Sequence, residues 1–254
     1  MSENSAPLIE AEGLSKFYGD FAAVRDMTYD VHKGEIVAFL GPNGAGKSTT
    51  MKMLTGYLSP SEGTARIAGH DMANDRLAGS AKLGYLPESG PLYPDMTPAE
   101  MLDFFAEARG FKDKAKKERV DYAVELTDLS TVFHKPIGKL SKGFRQRVGM
   151  AQSLLHEPQV LIMDEPTAGL DPNQTDQVRR MILNLGKEKT ILLSTHILQE
   201  VDAMATRVII VNEGQKVADG PIDEFRTDGK SLDSEFRRLT IGKASSLAKA
   251  TRVK

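Results

Sequence analysis

The chain has 254 residues, 40% hydrophobic and 27% charged, the balance of a soluble globular protein built as one large domain or as a core with a small satellite. A formal net charge of −2 offers no bulk attraction for nucleic acid, so nucleic acid is not expected as a partner. The absence of cysteine excludes disulfides and cysteine-ligated metals and fits a reducing cytosol.

The first residues, MSENSAPLIEAEG, lack a basic segment followed by an apolar run, so no signal peptide is expected. Residues 7–31 alternate loosely, with Val24, Met27, Tyr29 and Val31 between polar neighbours, which predicts antiparallel strands with one wet face. EIVAFL (35–40) is continuously apolar, as a strand buried on both faces would be. A glycine-rich loop and a helical pattern, KSTTMKMLTGY, follow it, and TARIAG (64–69) and KLGYLP (82–87) read as further strands. From about 88 to 155 the pattern turns helical. Thr97, Pro98 and Glu100 spell a capping box with proline in the first turn, and KDKAKKERVDYAVELTDL predicts a charged helix whose basic run is a solvated face. Strand–helix alternation then resumes through QVLIMD (159–164), NQTDQVRRMILNLG, TILLST (190–195), HILQEVDAMA and RVIIVN (207–212). Repeated units of this kind predict an α/β fold, a largely parallel sheet with helices on both faces, interrupted by a helical insert. No apolar run is long enough to span a bilayer, so any spanning helices would belong to another chain. Residues 241–254 carry four Lys/Arg and no acid, and are expected to form a flexible basic tail.

Two motifs carry chemistry. Gly41, Pro42, Asn43, Gly44, Ala45, Gly46, Lys47 and Ser48 match G-x-x-x-x-G-K-[ST] in full, with a strand before and a helix after. Such a loop turns backbone N–H groups onto phosphate oxygens; Lys47 would reach the β- and γ-phosphates and the Ser48 hydroxyl would ligate Mg²⁺. VLIMDEP supplies the other half. At the end of a buried strand, Asp164 would hold the metal, and Glu165 is poised to take a proton from an attacking water. These residues alone predict an ATP-hydrolysing P-loop protein.

Together with their surroundings, they resemble the nucleotide-binding subunit of an ABC transporter over about residues 7–240. That resemblance implies a P-loop (RecA-like) α/β core with an antiparallel β subdomain and the helical subdomain at about 88–155. KFYGD is similar to the segment that stacks an aromatic ring, here Tyr18, on adenine. LGYLPES is similar to the loop that usually carries glutamine beside the metal and attacking water; this chain has Glu88. AGLDP, LLSTH and LSKGFRQR resemble the loop carrying Asp171, the γ-phosphate contact His196, and the signature segment, most often L-S-G-G-Q.

In the family two subunits pair head to tail, so Ser141 and Gly143 would bind the γ-phosphate held by the partner's loop at 41–49, which includes Thr49. Taken alone, LSKGFRQR would be only a capped helix start with a basic face. Lys142 and Phe144 depart from the usual glycine and glutamine, and Ala168 stands where serine is frequent. The resemblance implies ATP and Mg²⁺ as cofactors. It implies two kinds of partner, a second nucleotide-binding subunit, most simply another copy, and a multi-spanning permease, at the cytoplasmic face of the inner membrane. GYLPE, LDPNQ and SLDSEFRRLT are most similar to ABC-2 type exporters, especially gliding-motility and nitrous-oxide-reductase-maturation ATPases. The alternative is a mechanochemical ATPase coupled to an envelope complex without moving a solute. A binding module without turnover is disfavoured by Glu165 and His196.

Overall fold

The computed structural model describes residues 6–226 and 231–241. Strands β1 (Ile9–Tyr18) and β2 (Phe21–Val31) form a hairpin in which Tyr18 stands opposite Phe21. Strand β3 (Ile36–Leu40) is buried at all five positions. Helix α1 (Lys47–Leu54) follows the glycine-rich loop; β4 (Glu62–Ile67) and the short β5 (His70–Asp71) then complete a four-stranded sheet in the order β2-β1-β4-β5.

Helix α2 (Arg76–Lys82) leads into β6 (Leu83–Leu86), the edge of the second sheet. Helices α3 (Pro98–Ala108), α4 (Asp113–Thr127) and α5 (Lys142–Leu154) come next. The chain then alternates through β7 (Val160–Asp164), α6 (Pro172–Leu185), β8 (Thr190–Thr195), α7 (Leu198–Met204), β9 (Arg207–Asn212), β10 (Gln215–Pro221) and α8 (Leu232–Ile241). The six-stranded sheet runs β10-β9-β3-β8-β7-β6, parallel throughout except for the β10–β9 pair.

Alternate residues of the buried strands feed two separate cores. Val37, Phe39, Val160 and Ile162 pack with Met51 and Leu54 of α1 and with the antiparallel sheet. Ala38, Leu40, Leu161 and Met163 pack with Val178, Ile182 and Val201 of α6 and α7 on the opposite face. This is the period-two alternation of a strand covered on both sides.

A third core, including Met101, Leu102, Ala123 and Leu129, belongs to the helical arm. Helix α5 joins arm to sheet: Val148 and Ala151 face the arm, Met150 and Leu154 the sheet. The expected capping box forms at α3, where Thr97 Oγ1 accepts from Glu100 N–H at 3.2 Å and Glu100 Oε2 accepts from Thr97 N–H at 2.8 Å. A cap of this kind contributes about 1 kcal/mol. Lys112, Lys114 and Lys117 of the basic run are exposed, while half-buried Lys116 pairs with Asp103 of α3 and Arg119 with Glu157, so only part of the run is a solvated face.

The short helix α2 and the edge strand β10 were not expected from the sequence, and SLDSEFRRLT folds as most of α8. Ile241 is the last described residue of that helix; the rest of the expected tail, residues 242–254, lies outside the described residues. Among the described residues no helix is long and apolar enough to cross a membrane.

Candidate functional site

Parallel register brings three strand ends to one edge. Leu40 pairs with Thr195 and Asp164 with Ser194, so the turns after β3, β7 and β8 emerge side by side. Open α/β sheets collect ligands at this carboxyl edge. Here it delivers the 41–48 loop, the Asp164–Glu165 pair and His196 to a common place.

The loop needs glycine at specific points. A Cβ on Gly41 would stand 2.6 Å from the Val211 carbonyl oxygen, and one on Gly46 2.6 Å from that of Ala23. Gly46 also has φ +95°, in the left-handed region that favours glycine. Lys47 is buried, its Nζ donating to the Gly41 carbonyl at 2.9 Å and the Pro42 carbonyl at 3.3 Å. The same ammonium is 3.3 Å from Glu165 Oε1. His196 Nδ1 lies 2.9 Å from Glu165 Oε2, so the carboxylate is gripped from two sides.

Asp164 is buried behind the loop. Its Oδ1 accepts from Ser48 Oγ at 3.2 Å and from Ser194 Oγ at 2.5 Å. Ser194 Oγ also accepts from Glu165 N–H at 3.0 Å, so one hydroxyl positions both acids. Thr195 and Thr167 hydroxyls converge on buried Glu200 and hold the adjoining turns. The Ser48 hydroxyl beside a carboxylate, with Glu88 on the wall, is a hard-oxygen set that fits Mg²⁺.

A cavity of about 440 Å³ opens over these groups. Of the sequence-derived candidates, Tyr18, Asn43, Gly44, Gly46, Lys47, Ser48, Thr49, Glu88, Glu165 and His196 line it. Gly41 and Pro42 contribute by holding Lys47, and Ala45 is buried under the loop, its carbonyl accepting from Gly214 N–H. Ser141, Gly143 and Asp171 are not brought to this cavity within one protomer. Ser141 caps α5 and Asp171 caps α6, each side chain accepting the N3 backbone N–H.

Sequence reasoning missed Phe21, which is 65% exposed beside the cavity, and Ser194. The hairpin spacing from Tyr18 was a usable signal for Phe21; nothing local marked Ser194, which reaches Asp164 through the β7–β8 register.

A second cavity, about 590 Å³, lies between the sheet edge and the arm. Lys52, Arg76 and Arg109 line it, with no acidic residue among its walls. Burial disfavours the charge on Arg109, which has no carboxylate partner among the described residues. Pro87 and Ser89 line this cavity while Glu88 between them lines the first.

A glycine-rich G-x-x-x-x-G-K-S loop, a paired Asp-Glu strand end and a histidine beside that glutamate on this sheet define a P-loop nucleoside-triphosphate hydrolase. The ABC transporter family profile matches residues 24–168. The chain is 37% identical over 219 residues to the uncharacterized ABC transporter ATP-binding protein YxlF of Bacillus subtilis, covering 86% of this chain and 72% of that one. It is 37% identical over 221 residues to the bacitracin transport ATP-binding protein BcrA of Bacillus licheniformis, covering 86% and 71%. A solved ATP-binding subunit of an ABC transporter superposes with a TM-score of 0.81 at 32% identity, over 91% of this chain and 99% of that one. The chain belongs to the ABC transporter family and is an ATP-binding, ATP-hydrolysing subunit with the P-loop fold of that family.

Proposed function

We propose that the chain powers an exporter of the ABC-2 type by closing, with ATP, against a second copy of itself at the cytoplasmic face of a membrane. The observation that carries this reading is that each protomer holds half a site. The phosphate loop, Lys47, Glu165 and His196 share one cavity, while the start of α5, with Ser141 and Gly143, lies outside it. Head-to-tail pairing gives each phosphate loop the missing α5 start.

In that arrangement backbone N–H groups of residues 43–48 wrap the phosphates and Lys47 moves from its carbonyl partners to phosphate oxygens. Ser48, Asp164 and Glu88 would hold Mg²⁺, which supplies charge neutralisation at the phosphates. Glu165 takes the proton of the attacking water and His196 orients it. Tyr18 offers its ring to the adenine, and Asp171 fixes the turn that meets the partner. The second cavity suits a membrane subunit: it is partly apolar and cationic, and its 87–91 wall is continuous with Glu88 in the nucleotide cavity. The match to BcrA, named for bacitracin transport, and to the Nod factor export ATP-binding protein I of Ralstonia nicotianae, 35% identical over 224 residues, supports the export direction.

Light scattering of Glu165→Gln with ATP and Mg²⁺ tests the pairing. A stable dimer is expected, and Ser141→Arg added to that background should return it to monomer. A dimer that survives Ser141→Arg, or no dimer in Glu165→Gln alone, overturns the reading.

A further inference from the structure

The start of α5 is not open in this protomer. The Gly143 N–H donates to Gln174 Oε1 at 2.8 Å, 31 residues along the chain. Gln174 sits at the third position of α6, where its own N–H is held by the Asp171 carboxylate at 3.0 Å. The neighbouring α6 side chain, Gln177, accepts from Arg147 one turn further along α5. A Cβ at position 143 would collide with the Gln174 amide, so the glycine admits that amide to the N–H. The same absence of a side chain would admit a phosphate oxygen.

Resting on the paired reading above, we infer that Gln174 is a mask. Its amide oxygen occupies the α5 N–H group that a partner's γ-phosphate needs, and so sets the ATP concentration at which two subunits close. A neutral amide oxygen is a weaker acceptor than a phosphate oxyanion, so phosphate displaces it, but the displaced bond raises the threshold. Gln174 touches no reacting atom; it is a positioning residue acting through Gly143.

The mask predicts opposite effects from two small changes. Gln174→Ala frees the N–H and should lower the ATP midpoint for dimerisation about three- to tenfold, the worth of one hydrogen bond. Gln174→Glu makes the bond charge-assisted at a helix N-terminus and should raise the midpoint by a similar factor. A residue that merely braces the arm would raise it in both. Gln177→Ala is the control, since it loosens the same two helices without touching Gly143.

ATP titrations in the Glu165→Gln background, followed by light scattering with Mg²⁺ present, read these midpoints; thermal melts confirm folding. A lower midpoint in Gln174→Ala, a higher one in Gln174→Glu and little change in Gln177→Ala are expected. Equal or raised midpoints in both Gln174 variants, or the same fall in Gln177→Ala as in Gln174→Ala, overturn the mask. Ser141→Arg separates the two claims. If it also dimerises, the paired reading has failed; if it stays monomeric while Gln174→Ala does not shift the midpoint downward, only the mask has failed.

Discussion

Lys47 and Glu165 form an ion pair at 3.3 Å with both side chains nearly buried, at 6% and 10% exposure. The ammonium that should meet phosphate and the carboxylate that should accept a proton thus neutralise each other. Neither is stranded alone: Lys47 keeps two carbonyl acceptors and Glu165 keeps His196. Arriving phosphate would take the cation and leave the carboxylate to the water, linking readiness of the base to occupation of the loop.

Deleting one partner leaves a buried charge with fewer contacts, so Lys47→Ala should abolish hydrolysis and also destabilise the nucleotide-free protein by about 1–3 kcal/mol. Adding Glu165→Gln should restore part of that loss, with a coupling of about 0.5–3 kcal/mol. Urea denaturation of the two single variants and the double variant closes the cycle. Strict additivity, within about 0.3 kcal/mol, would mean that the pair contributes nothing to the ground state.

The phosphate loop and the Asp-Glu strand end were legible because their chemistry is local: glycine spacing, one lysine, two consecutive acids after an apolar run. The two-sided burial of β3 and β7 was legible from unbroken hydrophobicity. Helix α2, RLAGSAK, and strand β10, QKVADGP, escaped because neither carries a clear period; β10 pairs along one edge only and ends in proline, and tertiary contacts decide both. Ser194 and Gln174 were invisible for another reason. Each acts across about 30 residues of chain, through a register or a helix crossing that no short motif encodes.

His156 gives a pH signature independent of nucleotide. Its Nε2 lies 2.9 Å from the Leu83 carbonyl and its Nδ1 is buried without a partner among the described residues. Burial, reinforced by the Arg109 charge, lowers its pKa from 6.5 to about 4. The folded state therefore favours neutral imidazole. Between about pH 6.5 and 4 the unfolded chain binds the extra proton, so stability falls as pH drops through that window. By pH 4.5 this group alone should cost on the order of 2 kcal/mol. His156→Leu should lose less stability than wild type between pH 7 and 4.5 in urea denaturation. Parallel pH profiles for the two proteins would show that the imidazole is not held neutral.

Glu88 departs from the glutamine usual at its position, and it lines the nucleotide cavity with Lys47, Ser48 and Glu165. A glutamine offers Mg²⁺ a neutral carbonyl oxygen; a carboxylate is a harder, stronger ligand. The same charge faces the triphosphate. With metal between them the two attract a common cation. Without it, two negative charges about 4 Å apart repel by on the order of 4 kcal/mol at an effective dielectric near 20. Wild type should therefore depend more steeply on Mg²⁺ than Glu88→Gln does. In EDTA, Glu88→Gln should bind ATP about tenfold or more tighter than wild type, since screening leaves only part of that repulsion. At saturating Mg²⁺ the two should hydrolyse ATP at similar rates. Because Pro87 and Ser89 line the second cavity, Glu88→Ala should also weaken the response of hydrolysis to the membrane subunit. Equilibrium ATP titrations of wild type and Glu88→Gln, each with Mg²⁺ and with EDTA, decide the matter: the same ratio of affinities in both proteins would put the carboxylate outside the metal's reach and leave Glu88 a loop acid on the cavity wall.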